Sequence, residues 1–135
     1  MMRYELIEHT ADIGIKAYGK NLEEAFENSA FGMFKLITDT EIKNVGEVII
    51  KLESEEIDDL LVKFLSELLF LYQTELYIFS EFDVKLKKND KYYLEAKARG
   101  ETLKNHECIN DIKAVTYHML EVNEKEGYVK VIFDV

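Results

Sequence analysis

His9 and Asp12 stand three residues apart in the run His9-Thr10-Ala11-Asp12-Ile13-Gly14. An imidazole close to a carboxylate can work as a general acid–base pair. The same residues can instead staple a turn through side-chain-to-backbone hydrogen bonds, with Thr10 contributing. A second group of oxygens lies at the other end of the sequence, in Asp134 and Val135. If Val135 is the natural end, its main-chain carboxylate and the Asp134 side chain repel one another unless a cation or a donor sits nearby. Adding Asp12 makes an oxygen-only set, suited to Ca²⁺ or Mg²⁺ rather than Zn²⁺. The plainer alternative is that Asp134 is a solvated terminal residue.

A third group is Lys104-Asn105-His106-Glu107, followed by Lys113 and Thr116-Tyr117-His118. It gathers basic and aromatic side chains in an acidic chain, and reads either as a surface loop with one strand face or as a binding loop. Other chemistries lack their parts. Gly14 and Gly19 are isolated, so no glycine-rich phosphate loop is present. Cys108 has His106 two residues away but no evident third group to orient the pair. As the single cysteine it also excludes an internal disulfide and a cysteine-built zinc site.

The totals narrow the class. With 135 residues, 47% apolar, the chain is one globular domain over residues 1–135, with a core that needs no staples. No apolar run approaches the roughly 20 residues that span a bilayer. Arg3 and Glu5 interrupt the first apolar residues, so no signal peptide is expected and the protein is placed in the cytoplasm. Seventeen Lys and Arg against 27 Asp and Glu give a net charge of −10, which argues against strong direct nucleic-acid binding. A basic protein partner or a metal cation fits that charge better.

Periodicity supplies the elements that must position these groups. Tyr4 to Ile7 and Ile13 to Ala17 read as strands, with a turn between them carrying His9, Thr10 and Asp12. Asn21 with Glu24 forms a capping-box-like start. Leu22, Ala25, Phe26, Ala30, Met33, Phe34 and Ile37 then follow helical spacing, with Gly32 marking a close approach. Val48, Ile50 and Leu52 alternate as a strand, and Ser54 is placed to cap a second helix whose stripe runs from Ile57 to Tyr72. Phe82 to Leu86 and Tyr92 to Ala98 make a hairpin about Lys88-Asn89-Asp90-Lys91. Ile112 to Val122 is β-rich, and Tyr128 to Asp134 is a last strand. The expected fold is α+β in two layers: a largely antiparallel sheet of six or seven strands with two amphipathic helices on one face.

The run from Tyr4-Glu5 through Glu8-His9-Thr10-Ala11-Asp12-Ile13-Gly14-Ile15 to Ala17-Tyr18-Gly19 resembles the archease family. So do Leu22-Glu23-Glu24-Ala25-Phe26, Gly32-Met33-Phe34, Asp111 to His118, and the ending Val131-Ile132-Phe133-Asp134-Val135. The similarity covers nearly the whole chain; Cys108 departs from the proline that often follows the His-Glu pair in that family. The resemblance implies a tRNA-splicing cofactor rather than an enzyme, with no catalytic residue of its own. Such a protein promotes guanylylation and multiple turnover of the GTP-dependent RNA ligase and widens its nucleotide choice; an older description is a chaperone of nucleic-acid-processing proteins. It also implies a divalent cation, calcium foremost with magnesium or manganese as alternatives, held by Asp12, Asp134 and a main-chain oxygen of Val135. His9 then becomes an orienting residue, and Lys104, His106 and Lys113 are candidates for the partner-facing surface. Asp39 and Asp111 are further carboxylates that no motif carries over. The rival from another class is a stand-alone metal-dependent phosphoester hydrolase with His9 as base.

Overall fold

The computed structural model describes residues 2–9, 12–103 and 107–135, without the side chain of His9. Two strands open the chain, β1 (Tyr4–His9) and β2 (Asp12–Tyr18). They pair antiparallel with His9 opposite Asp12, so both residues belong to strands rather than to the turn expected around them. Helix α1 (Leu22–Ile37) starts where the sequence places it. Asn21 Oδ1 accepts from the Glu24 backbone N–H at 2.9 Å, and Glu24 accepts from the Lys20 N–H at 3.0 Å. These bonds satisfy donors that a helix start leaves unpaired.

Strand β3 (Gly46–Ser54) leads to helix α2 (Ile57–Glu75). Here the cap differs from expectation: Ser54 is buried at the end of β3, and Glu56 takes the cap position with no side-chain cap bond. Asp58 and Asp59 in the first turn offset the dipole instead. Strands β4 (Tyr77–Lys88) and β5 (Tyr92–Thr102) form a hairpin longer than the alternation alone indicates, with a register shift between Phe79 and Glu81. The β-rich stretch Ile112 to Val122 yields only β6 (Ala114–Val115) and β7 (Glu121–Asn123). Between them the chain turns, with Leu120 N–H bonded to Tyr117 O and Met119 in the left-handed region at φ 53°. Strand β8 (Tyr128–Asp134) has the predicted limits.

The fold is α+β, with antiparallel pairing throughout the described strands. The strands divide into two sheets. One runs β1-β2-β8-β6, with β7 also on β8; the other runs β3-β5-β4. A single core joins both to the helices: Ile15 and Phe133 come from the first sheet, Ile50 and Ala98 from the second, Phe26 and Phe64 from the helices. Gly32 lets α1 approach the first sheet, since a Cβ there would stand 3.1 Å from Ile15 and from the Tyr4 ring. Asn28, buried on α1, accepts from Arg3 Nε at 2.8 Å and donates to Tyr18 O at 2.6 Å, fastening the open end of the β1–β2 hairpin to the helix.

Helix α1 also closes the edge of the second sheet. Glu27 accepts from Val84 N–H at 2.7 Å, and Glu23 accepts from Leu86 N–H at 2.8 Å. The outward donors of β4 are thus met by carboxylates one helical turn apart, not by another strand.

Candidate functional site

Strand alternation decides which face each candidate residue occupies. In β2, Ile13, Ile15 and Ala17 belong to the core; in β8, Val129, Val131 and Phe133 do. The intervening residues Asp12, Gly14, Lys16 and Tyr18 therefore share the outer face with Tyr128, Lys130, Ile132 and Asp134. The register sets Asp12 directly opposite Asp134 and Gly14 opposite Ile132. Side chains so paired have Cβ atoms about 4.5–5.5 Å apart. Two residues about 120 positions apart in sequence thus become cross-strand neighbours.

Neighbouring backbone holds this pair in place. Lys113 N–H donates to Asp134 O at 2.7 Å, and Ala114 pairs with Asp134 from the far side of β8. Gln73 of α2 donates to Ile112 O at 3.4 Å and Lys113 O at 3.0 Å, anchoring the segment that lies against the chain end. Thr116 ties the next residue pair through Oγ1 to Ile132 O at 2.8 Å. Gln73 carries no motif signal, so only the fold reveals its part. Gly14 is required beside the carboxylates, because a Cβ there would collide with Ile132 Cδ1 and come within 2.9 Å of Val131 O.

The other sequence candidates fall differently. Asp134 is exposed and Asp12 half-buried, while Val135 packs its side chain against the core. His9 is opposite Asp12 in backbone register, but its side chain lies outside the described residues, as do Thr10, Ala11, Lys104 and His106. Lys113 is exposed next to the site. Asp39 and Asp111 are exposed, and among the described residues no group of three or more His, Cys, Asp or Glu side chains is placed to hold a metal. Cys108 is engaged with Tyr72, whose hydroxyl lies 3.1 Å from its sulfur. Burial, then that hydrogen bond, pushes the Tyr72 phenol well up from its ordinary value. The Asp59 carboxylate near Tyr117 raises that phenol as well.

An all-oxygen donor set fits a hard cation. Two facing carboxylates would leave most of its coordination to water, and they suit Ca²⁺ or Mg²⁺ better than a metal that prefers nitrogen or sulfur.

These features define a small α+β protein whose outer sheet face ends in a carboxylate pair built from both ends of the sequence. Among the described residues no helix is long and apolar enough to cross a membrane. A sequence model of the archease protein family (MTH1598/TM1083) matches residues 4–135. The archease of Methanothermobacter thermautotrophicus is 42% identical over 133 residues, covering 96% of this chain and 95% of that one. The archease of Saccharolobus islandicus is 47% identical over 133 residues, with 96% and 95% covered. The solution structure of protein 1598 of Methanobacterium thermoautotrophicum superposes with a TM-score of 0.87 at 40% identity, covering 100% of both chains. The crystal structure of an archease, possible chaperone, from Thermotoga maritima shares the fold at a TM-score of 0.62 and 24% identity, covering 100% of this chain and 98% of that one. The chain belongs to the archease family.

Proposed function

We propose that this protein is a tRNA-splicing cofactor that activates the GTP-dependent RNA ligase, promoting its guanylylation and multiple turnover and widening its nucleotide choice. The observation that carries the reading is the register of Asp12 with Asp134 in a family member of net charge −10. A strongly acidic protein suits a basic partner surface rather than an RNA backbone. In this reading Asp12, Asp134 and a main-chain oxygen of Val135 hold a divalent cation, calcium foremost, with magnesium or manganese as alternatives. The cation supplies positive charge at the partner's reaction centre. The protein's own residues do the placing: β2 and β8 fix the two carboxylates, and Lys113 and Ala114 brace Asp134. No catalytic residue is assigned to the chain.

The test is ligation of RNA halves by substoichiometric ligase. Adding the protein is expected to convert a single round into repeated rounds, with no nucleotide or phosphoester turnover by the protein alone. Asp12→Ala and Asp134→Ala are each expected to lose at least ~90% of the stimulation, about 1.4 kcal/mol of activation or more. Stimulation by both variants at the full level sinks the carboxylate site. Phosphoester turnover by the protein alone favours the hydrolase instead.

A further inference from the structure

The lysine pair on the same outer face is not used by the carboxylate site. Lys16 and Lys130 are directly opposite on β2 and β8, a like-charge cross-strand pair that is unfavourable by itself. Each also has a glutamate opposite on its other side, Glu5 on β1 and Glu121 on β7. Those glutamates are engaged elsewhere: Tyr18 donates to Glu5 and Tyr128 donates to Glu121, both at 2.6 Å. Among the described residues neither ammonium has a carboxylate at ion-pair distance. Lys16 instead lies over the Tyr128 ring, 4.2 Å from its centroid, and 5.5 Å from that of Tyr18. The tyrosines, themselves a cross-strand pair, lie about 7 Å along the strands from the lysines. Beyond them opens a cavity of about 310 Å³, lined by Met2, Tyr18, Gly19, Glu126 and Gly127.

We propose that this patch binds a nucleoside monophosphate, with the phosphate between Lys16 and Lys130 and the base at the Tyr18 end, in the glycine-lined cavity. The anion relieves the lysine repulsion and draws the Lys16 ammonium off the rings, freeing a face for stacking. A polymer fits poorly. Glu5 and Glu121 fence the patch on both sides, Asp12 and Asp134 stand four residues along the strands one way, and Glu126 lines the cavity the other way, so a run of phosphates or carboxylates meets repulsion in every direction. A compact anion carrying one ring does not. The site stands apart from the ligase reading, and its failure leaves that reading untouched.

The experiment is titration of the ¹⁵N-labelled protein with adenosine 5′-monophosphate, adenosine, ribose 5-phosphate and inorganic phosphate. Saturable shifts centred on residues 16–19 and 127–130 are expected for the nucleotide, with affinity about tenfold or more above each of the other three. Lys16→Gln with Lys130→Gln is expected to weaken nucleotide binding at least tenfold, and Tyr18→Leu to remove the advantage over ribose 5-phosphate. Lys97→Gln on the second sheet is expected to change nothing. Equal affinity for inorganic phosphate, shifts centred elsewhere, no saturation, or an unaffected lysine double variant each overturns the proposal.

Discussion

Asp12 and Asp134 carry like charge at facing positions, so the pair costs free energy when empty, and the proposed cation would turn that cost into a gain. Two opposite effects on stability follow. In chelator, Asp12→Asn is expected to be as stable as the parent or slightly more so, because the repulsion is gone. In calcium, the parent should gain about 2.7 kcal/mol at a cation concentration a hundredfold above its Kd, and the variant should gain far less. Melting with and without calcium checks both, and an equal calcium shift in parent and variant contradicts the site. Gly14 supports the same pair indirectly. Gly14→Val forces a side chain against Ile132 and is expected to cost about 1–3 kcal/mol. Because the register of β2 on β8 absorbs that clash, calcium affinity should fall with stability, which a titration of the still-folded variant measures.

At the level of elements, the α1 contact with β4 has a pH signature. Burial pushes the Glu27 carboxyl up from its ordinary value of 4.5, only partly countered by the Val84 N–H bond, with Asp83, Glu24 and Glu23 adding repulsion. A carboxyl with a raised folded value binds its proton more tightly in the native state. Its stabilising contribution is therefore full below pH 4.5 and is lost as pH rises through the raised value. Glu27→Gln keeps an acceptor for Val84 and has no charge to desolvate, so it should be no less stable than the parent at pH 7. Glu27→Ala leaves Val84 N–H without its acceptor and should cost about 1–3 kcal/mol. Denaturant unfolding at pH 4 and pH 7 separates the three proteins.

These elements also mark what the sequence discloses. The stripes of α1 and α2, the Asn21 cap and the limits of β8 are written in local periodicity and side-chain chemistry. Asp12, Asp134 and Val135 stand out by their oxygens as one of two open readings and by the family motif as a ligand set, while the register that sets Asp12 opposite Asp134 is in neither. Hidden features depend on distant partners. Glu56 displaces Ser54 as cap because Ser54 is buried in β3 pairing with Tyr92. The β-rich run from Ile112 gives only the two strand residues Ala114 and Val115, because the chain then turns, with Leu120 N–H bonded to Tyr117 O and Met119 in the left-handed region. Gln73, Lys16 and Lys130 acquire meaning only when the register of β6 and β8 is known.

On the scale of the whole molecule, both sheets share one apolar cluster with both helices. That continuity makes independent melting of either sheet unfavourable. Helical ellipticity and near-ultraviolet tyrosine signals are expected to change in one coincident transition; separated midpoints would show that the sheets are distinct cooperative units. The position of β8 has a consequence for how that unit forms. Its central place in the first sheet, between β2 and the β6–β7 strands, is filled by residues about 120 positions after β2. Until that segment is synthesised, β2 lacks its inner partner and part of the α1 face stays wet. Closure over such a separation is slow relative to local hairpin formation, although the entropy cost grows only with the logarithm of length. The paired carboxylates come together in that same late step, so a cation can be held there only once the chain has been made and docked as far as Asp134.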